Sequence, residues 1–535
     1  MSEIYLGNKN LKSRDVKIPF TADQVQEYLK CSRDVEYFCQ KYVKIVNVDR
    51  GLIDFAPYKY QVKMFDVFDA NRYTICKMPR QVGKTTGVVG YLLHKVLFNE
   101  NYNVAVLANK ERQAREILAR VQLAYEWLPK WMQQGIVEWN KGSIELENGS
   151  KILASSTSSS AIRGQSYNLI YLDEFAFVPR NIQDQFFASV FPTISSGQTT
   201  KLIITSTPNG MDLFYKIWID SEQDRNTYAR VDVHWSDVPG RDEAWKDLMI
   251  KNTSVDQFRQ EFECEFLGSS NTLIHPSVLS KLVFFPPQTN AQGVNVFAEP
   301  KKGHQYFMTV DLAEGLGQDS SAFTVIDATT VPYEVVATYK NSSISELLFP
   351  TLIMNVAKYY NSAWVLVETN IGSQVVNILH QDLEYENVVT TKTSGRKGVM
   401  LGSGGSQSRL GVKTTKVTKR IGCSNLKSLV ESNKIKLNDF EVIQQLSTYV
   451  ADKSSFNAEE GHHDDLVMCL VLFSWMVSQE YFKELSDTDV RQRILEENER
   501  QIEENMSPFG FQDDGMPEED VMTVSGDEFD RLLLN

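Results

Sequence analysis

The stretch Met78-Pro79-Arg80-Gln81-Val82-Gly83-Lys84-Thr85-Thr86 constrains the fold more than any other part of the chain. It follows the apolar run Tyr73-Thr74-Ile75-Cys76 and precedes a helical pattern from Gly87 to Phe98. A strand that stops, turns through a glycine and opens a helix on Lys-Thr presents backbone N–H groups and the positive helix end to a phosphate. That is the geometry of a P-loop. Lys84 is then placed to reach the β- and γ-phosphates and the Thr85 hydroxyl to ligate Mg²⁺, with Gln81, Gly83 and Thr86 lining the loop. Met78 occupies the place of the usual first glycine. Arg80, inside the loop itself, can supply positive charge in cis to a developing γ-phosphoryl, as an arginine finger does.

Two downstream strands support this reading. Leu169-Ile170-Tyr171-Leu172-Asp173-Glu174 is a buried-strand pattern ending in adjacent carboxylates, as in a Walker B strand. Asp173 would hold the Mg²⁺ and Glu174 would polarise the attacking water. Lys201-Leu202-Ile203-Ile204-Thr205-Ser206-Thr207 is a third apolar strand, ending in hydroxyls that can sense the γ-phosphate. Upstream, Gln61 either offers its amide to an adenine edge or is a surface glutamine on a helix, and spacing leaves both open. Arg163, in a polar turn before the Walker B strand, either acts on charge or substrate or forms an exposed salt bridge. From Val88 to Ile204 strand and helix patterns alternate, which predicts a mostly parallel sheet with helices on both faces.

A second chemical centre opens at Phe307-Met308-Thr309-Val310-Asp311, a strand ending in a carboxylate. Trp364-Val365-Leu366-Val367-Glu368 is another, and Gly461-His462-His463-Asp464-Asp465 leads into the apolar helix Leu466 to Val477. Acids at two strand exits and one helix start can converge on one sheet edge and hold two Mg²⁺ about 4 Å apart, with Mn²⁺ an alternative, to cut a phosphodiester. Asp311, Glu368 and Asp464 are the expected ligands. Asp464 is preferred over Asp465 because it lies nearer the helix start, and the histidines are assigned a positioning role because hard cations prefer oxygen. The order strand, strand, helix is that of an RNase H-like nuclease. Between the last two acids, Ser394 to Lys427 reads as a Gly-rich loop carrying Arg396, Lys397, Arg409, Lys413, Lys416, Lys419 and Arg420. This is either a DNA phosphate clamp or a solvated loop.

The expected fold is therefore α/β, a P-loop ATPase domain with a mostly parallel sheet followed by an RNase H-like nuclease domain. A length of 535 residues exceeds one core and agrees with two. The expected divisions are a helical lead-in (1–55), in which Thr21-Ala22-Asp23-Gln24 has the spacing of a capping box before an amphipathic stretch to Val43, then the ATPase domain (56–268), a Pro- and Gly-bearing linker (269–303), the nuclease domain (304–482) and an acidic tail (483–535). The net charge of −14 sits mostly in that tail, where residues 487–535 hold 15 acidic residues against four arginines. The body is close to neutral, so local basic grooves remain open to nucleic acid. The tail reads as a charged helix, Val490 to Glu504, and a docking or solubilising run ending at Leu532-Leu533-Leu534. Six cysteines without a C-x-x-C pair indicate neither zinc nor a disulfide framework, and a reducing cytoplasm is expected. No signal-like N-terminus or membrane-spanning run is read.

The combination of Arg80-Gln81-Val82-Gly83-Lys84-Thr85-Thr86, Tyr171-Leu172-Asp173-Glu174, Thr205-Ser206-Thr207-Pro208-Asn209-Gly210 and Gly461-His462-His463-Asp464-Asp465, with Asp311 and Glu368, resembles the large terminase subunit of tailed bacteriophages, in its T4-like branch. The resemblance runs from about residue 30 to about residue 480, and that branch shares the missing first glycine. It implies ATP-driven movement of double-stranded DNA through a portal protein into a procapsid, with Mg²⁺-dependent cutting of a concatemer before and after filling. It also implies a ring on the portal, commonly pentameric, a small terminase subunit as partner, no membrane, and action in the host cytoplasm with no place in the mature virion. By the same resemblance Arg80 is the cis arginine finger, Glu174 the catalytic carboxylate, Thr205 to Thr207 the coupling motif and Gln61 the adenine contact. Two other classes are set against this one. A helicase or restriction-type translocase whose second domain only binds DNA would not need the three acids together, and a scaffold that binds nucleotide structurally would show no ATP turnover.

Overall fold

The computed structural model describes residues 4–158, 165–267, 271–312, 320–371, 373–394, 398–401, 408–452, 455–459, 461–479 and 482. Arg163, Arg396, Lys397 and the acidic tail lie outside the described residues. The chain divides into two compact units, Met1–Leu267 and Gly268–Asn535.

The first unit is built on eight strands: β1 (Tyr73–Lys77), β2 (Asn103–Ala108), β3 (Ile136–Trp139), β4 (Ser143–Leu146), β5 (Lys151–Ser156), β6 (Leu169–Asp173), β7 (Lys201–Ser206) and β8 (Ala229–Asp232). Their spatial order is β8-β1-β7-β6-β2-β5-β4-β3. All pairs from β8 through β5 are parallel, and β4 and β3 add an antiparallel edge. Helices cover both faces of a parallel sheet, so its central strands are apolar throughout, and every residue of β6 is buried. The register Asp173↔Thr205 and Ser206↔Lys77 brings the exits of β6, β7 and β1 side by side. Ligands of open α/β sheets bind at such carboxyl ends.

The lead-in is two helices rather than one amphipathic run. The capping box at Thr21 and Gln24 starts Ala22–Arg33, and Asp34 then ends that helix and caps Val35–Tyr42. Phe38 and Cys39 of the second helix join the core of the first unit, next to Met64 and Leu93. Helix α1 (Lys59–Ala70) precedes β1, and α2 (Lys84–Phe98) follows it. Near the end of the unit lie α3 (Glu243–Asn252) and α4 (Val255–Glu261).

The second unit carries a seven-stranded sheet. Six of its strands are β9 (Thr289–Ala291), β10 (Val294–Val296), β11 (Tyr306–Asp311), β12 (Ser321–Asp327), β13 (Tyr333–Asn341) and β14 (Trp364–Val367). They run in the order β9-β10-β13-β12-β11-β14, with Ile435–Lys436 added to β13. The first two come from the stretch expected as a linker. Val294 and Val296 alternate into the core, which makes it a strand pair despite its Pro and Gly content. β14 is parallel to β11, while β11, β12 and β13 are mutually antiparallel.

The segment expected as a long Gly-rich loop is also more ordered than its composition implies. Thr390–Ser394, Gly398–Leu401 and Ser408–Leu410 form a small antiparallel sheet. From Lys416 the chain is helix α5 (Lys416–Glu431), capped by Thr415, with Cys423, Leu426 and Val430 on its buried face. Helix α6 (Phe440–Leu446) and the apolar α7 (Asp465–Val477) complete the layer that packs on β11 and β12.

Candidate active sites

In the first unit the loop after β1 turns through two left-handed residues, Gln81 at φ +57° and Gly83 at φ +70°. Gly83 caps α2, and a Cβ there would come within 2.9 Å of Gln61 Nε2, so glycine is required both by its φ and by the space. Lys84 opens the helix and is only 8% exposed, and its Nζ lies 2.6 Å from Glu174 Oε1. Thr85 and Thr86 stand half-buried in the first turn beside it.

Four buried hydroxyls hold the two Walker B carboxylates. Thr205 donates to Asp173 Oδ1 at 3.2 Å and Tyr171 donates to the same oxygen at 2.7 Å. Glu174 Oε2 accepts from Ser206 Oγ, the Thr207 N–H and Thr207 Oγ1 at 3.3–3.4 Å. Glu174 itself is left-handed, at φ +50°. Burial pushes the Asp173 carboxyl above its usual range, against the pull of Lys84. All three hydroxyl residues expected as a coupling motif thus touch the carboxylates, on one side of the loop.

Gln61 is 1% exposed, and its amide is committed within the chain. Nε2 donates to the Gly83 carbonyl at 2.8 Å, and Oε1 accepts from the Tyr58 N–H at 2.8 Å. These bonds brace the phosphate loop. Tyr60 adds to the brace by donating to the Val82 carbonyl. Arg80 is exposed and ion-paired with Glu261, whose carbonyl also accepts the Arg80 N–H at 3.0 Å. Burial raises the Glu261 carboxyl, while Arg80 opposes the rise.

One loop contact was not read from the sequence. Arg241 donates to the Gln81 carbonyl at 2.9 Å and to the Arg80 carbonyl at 3.4 Å, with its guanidinium 4.5 Å from the Trp245 ring centroid. Arg241 and Glu261 lie some 160 and 180 residues downstream in turns and helix ends with no motif, so no local signal marks them.

In the second unit, Asp311 ends β11 and Glu368 directly follows β14. Because Val310 pairs with Val367 in parallel, the two acids emerge side by side, with the Glu368 N–H donating to the Val310 carbonyl. The carboxyl of Asp311 lies well above its usual range, first through burial and then through a hydrogen bond with Glu368 and the charges of Glu368, Asp465 and Asp464. All four acids are therefore gathered at one sheet edge. They do not form a closed cage, since among the described residues no three His, Cys, Asp or Glu side chains are disposed as one.

The acids at the helix start differ. Asp465 is 5% exposed, accepts the Ser320 N–H at 3.3 Å and is ion-paired with Lys340 at 3.7 Å. Asp464 stands half-buried at the N-cap position of α7 without a side-chain capping hydrogen bond. Gln445 Oε1 satisfies the first helical N–H groups, accepting from Leu466 and Val467. Two adjacent half-buried carboxyls joined by a hydrogen bond, Asp311 and Glu368, need either a shared proton or a cation, and an all-oxygen set fits a hard divalent ion such as Mg²⁺.

The basic residues fall beside this edge. Val412 bridges Glu368, and Gly411 at φ +69° lets the backbone press against the Val367 carbonyl. Arg409, Lys413, Lys416 and Arg420 are exposed along this strand and the start of α5. Lys419 is turned inward, donating to Asn457 Oδ1 at 2.9 Å.

A P-loop unit with paired acids after its Walker B strand, followed by a sheet with acids at adjacent strand exits, defines a two-part α/β class: a P-loop ATPase fold and an RNase H-like fold in one chain. Residues 75–281 match the family described as "Terminase large subunit, T4likevirus-type, N-terminal", and residues 308–475 match "Terminase RNaseH-like domain". The chain belongs to the terminase large-subunit family. It is similar to the tripartite terminase subunit 3 of Equine herpesvirus 2 (strain 86/87), at 27% identity over 114 residues, which is 20% of this chain and 16% of that protein. Among solved structures it is similar to the large terminase of bacteriophage HK97, at 15% identity over 83% of this chain and 99% of that one, with a TM-score of 0.46. It is also similar to the large terminase nuclease of thermophilic phage G20c with bound magnesium, at 19% identity over 38% of this chain and 97% of that one, with a TM-score of 0.30.

Proposed function

We propose that this chain is the motor and cutting subunit of a viral DNA-packaging machine, hydrolysing ATP to move double-stranded DNA into a procapsid and cutting the concatemer with a divalent cation. One observation carries the reading: a complete phosphate site and a gathered acid site occur in one chain of this family, each at the carboxyl edge of its own sheet.

In the first unit Lys84 binds the phosphates, and Thr85 and Asp173 would hold Mg²⁺. Glu174 orients the attacking water and accepts its proton. Arg80 exchanges Glu261 for the γ-phosphate. Ser206 and Thr207 report the position of Glu174 to β7. In the second unit Asp311, Glu368 and Asp464 would hold the divalent cation, which when bound activates a water and steadies the leaving oxygen. Lys413, Lys416, Arg409 and Arg420 track the DNA backbone beside Glu368, with Lys419 fixing the start of α5. The ATPase domain spans 56–268 and the nuclease domain 304–482, with the strands at 289–296 counted with the latter. Partners are duplex DNA, a small terminase subunit and a portal protein, with the chain ringed on the portal in the host cell. Among the described residues no helix is long and apolar enough to cross a membrane.

The test is a defined packaging reaction of purified protein, empty proheads, linear DNA and ATP, read as DNase-protected DNA. Protection is expected with ATP and not with Lys84→Ala, whose ATP turnover should fall by at least about 100-fold. Asp311→Ala should lose Mg²⁺-dependent plasmid cutting while keeping ATP turnover. Undiminished cutting by Asp311→Ala would refute the metal assignment, and an absence of Mg²⁺-dependent cutting by the parent chain would leave a translocase whose second domain only binds DNA.

A further inference from the structure

The acid edge of the second sheet contains a cation supplied by the chain. Asp311 pairs in register with Ala322 on β12, and Ala322 pairs in register with Lys340 on β13. Residues paired directly across neighbouring strands face the same side of the sheet. Asp311, Ala322 and Lys340 thus form one row across three adjacent strands, and Glu368 directly follows β14 beside the end of β11. Ala322 is fully buried, and its carbonyl accepts from Cys469 Sγ of α7 at 3.5 Å. Lys340 Nζ is 2.9 Å from Glu441 Oε1 and 3.7 Å from Asp465 Oδ2, and the lysine side chain is 21% exposed. Asp465 Oδ2 is buried without a hydrogen-bond partner, and its other oxygen takes the Ser320 N–H.

We propose that Lys340 is a positioning residue of the cutting site. Its ammonium engages the Asp465 carboxylate and occupies it as a partner, so that Asp464, rather than Asp465, completes the site with Asp311 and Glu368. Two adjacent acids at a helix start would otherwise compete for the same cation, and a carboxylate in the wrong place binds metal without placing it for reaction. Glu441 keeps the lysine in reach of Asp465 from α6. This rests on reading the second unit as a nuclease.

The two possible failures separate experimentally. In the full-length chain, Lys340→Gln removes one positive charge beside four acids and frees Asp465 to bind metal. Mn²⁺ affinity by titration calorimetry should therefore tighten, by about threefold or more, while cutting of supercoiled plasmid at saturating Mg²⁺ falls by about tenfold or more. Lys340→Arg keeps the charge and should hold Mn²⁺ affinity within about twofold of the parent and restore most of the cutting. Tighter metal with slower cutting is the signature of positioning. Cutting within about twofold of the parent in Lys340→Gln, or a loss of cutting with unchanged or weaker Mn²⁺ binding in folded protein, would overturn the assignment. Asp311→Ala runs beside it: if that variant still cuts, the nuclease reading itself fails, whereas an inactive Asp311→Ala beside a fully active Lys340→Gln removes only the role of Lys340.

Discussion

Arg241 shapes the phosphate loop through main-chain carbonyls of Arg80 and Gln81 and rests on Trp245, so its planar fork matters as much as its charge. Arg241→Ala should raise the KM for ATP by about three- to tenfold, and Arg241→Lys should not rescue it, because an ammonium cannot span two carbonyls from a stacked position. Steady-state ATP turnover checks both. His94 is a second case. It is 3% exposed, bonded to the Cys31 carbonyl at 2.9 Å, and burial, then Lys95, lowers its pKa to about 4, against the smaller pull of Asp69 and Asp34. A base whose folded pKa lies below its unfolded value favours the neutral form, so its contribution is present at neutral pH and is lost as pH falls from about 6.5 to about 4. The stability advantage of the parent over His94→Asn in urea unfolding should therefore shrink by about 3 kcal/mol across that window; a pH-independent difference would contradict a neutral buried imidazole. At this scale the sequence was legible where a motif concentrates the chemistry, as at Lys84, Asp173 and Glu174. It was silent where a long-range contact does the work, as at Arg241, Glu261 and Lys340, and on the bonds that tie the Gln61 amide to Gly83 and Tyr58.

Elements were read well where apolar runs are unbroken, as in β6, β7, β11 and β14, because a buried parallel strand and its polar exit leave the same mark in any context. They were read poorly where polar residues hide a narrow apolar stripe. In α5 the Ser, Thr and Lys content masks Cys423, Leu426 and Val430 at helical spacing, and in β9 and β10 the prolines of the flanking chain outweigh Val294 and Val296. Among the described residues, Arg409 thus lies on a strand and Lys416 and Arg420 on the start of α5 rather than on one long loop. The crossing of α5 on α7 depends on Gly422, where a Cβ would collide with the Val471 carbonyl oxygen. Gly422→Ala should cost about 1–3 kcal/mol in the unfolding of the second unit and reduce cutting more than ATP turnover. A variant as stable as the parent would mean that the two helices can part without loss.

On the scale of the whole molecule, two units with separate cores predict two calorimetric unfolding transitions. Mg²⁺-ADP at about 100 times its Kd should stabilise the first unit by about 2.7 kcal/mol and leave the second where it was; a single transition that moves as one would show a joint core. The boundary follows Leu267, only six residues beyond Glu261, the partner of Arg80. Those residues are pinned by Lys246 to Glu263 at 2.9 Å and by Arg259 to Glu265. Fully extended, such a stretch reaches about 20 Å. In the proposed exchange of Glu261 for a phosphate, Arg80 would release a segment that leads straight into the boundary with little slack. A run of glycines spliced into it is expected to leave ATP turnover and plasmid cutting intact and to abolish DNase-protected DNA in the packaging reaction.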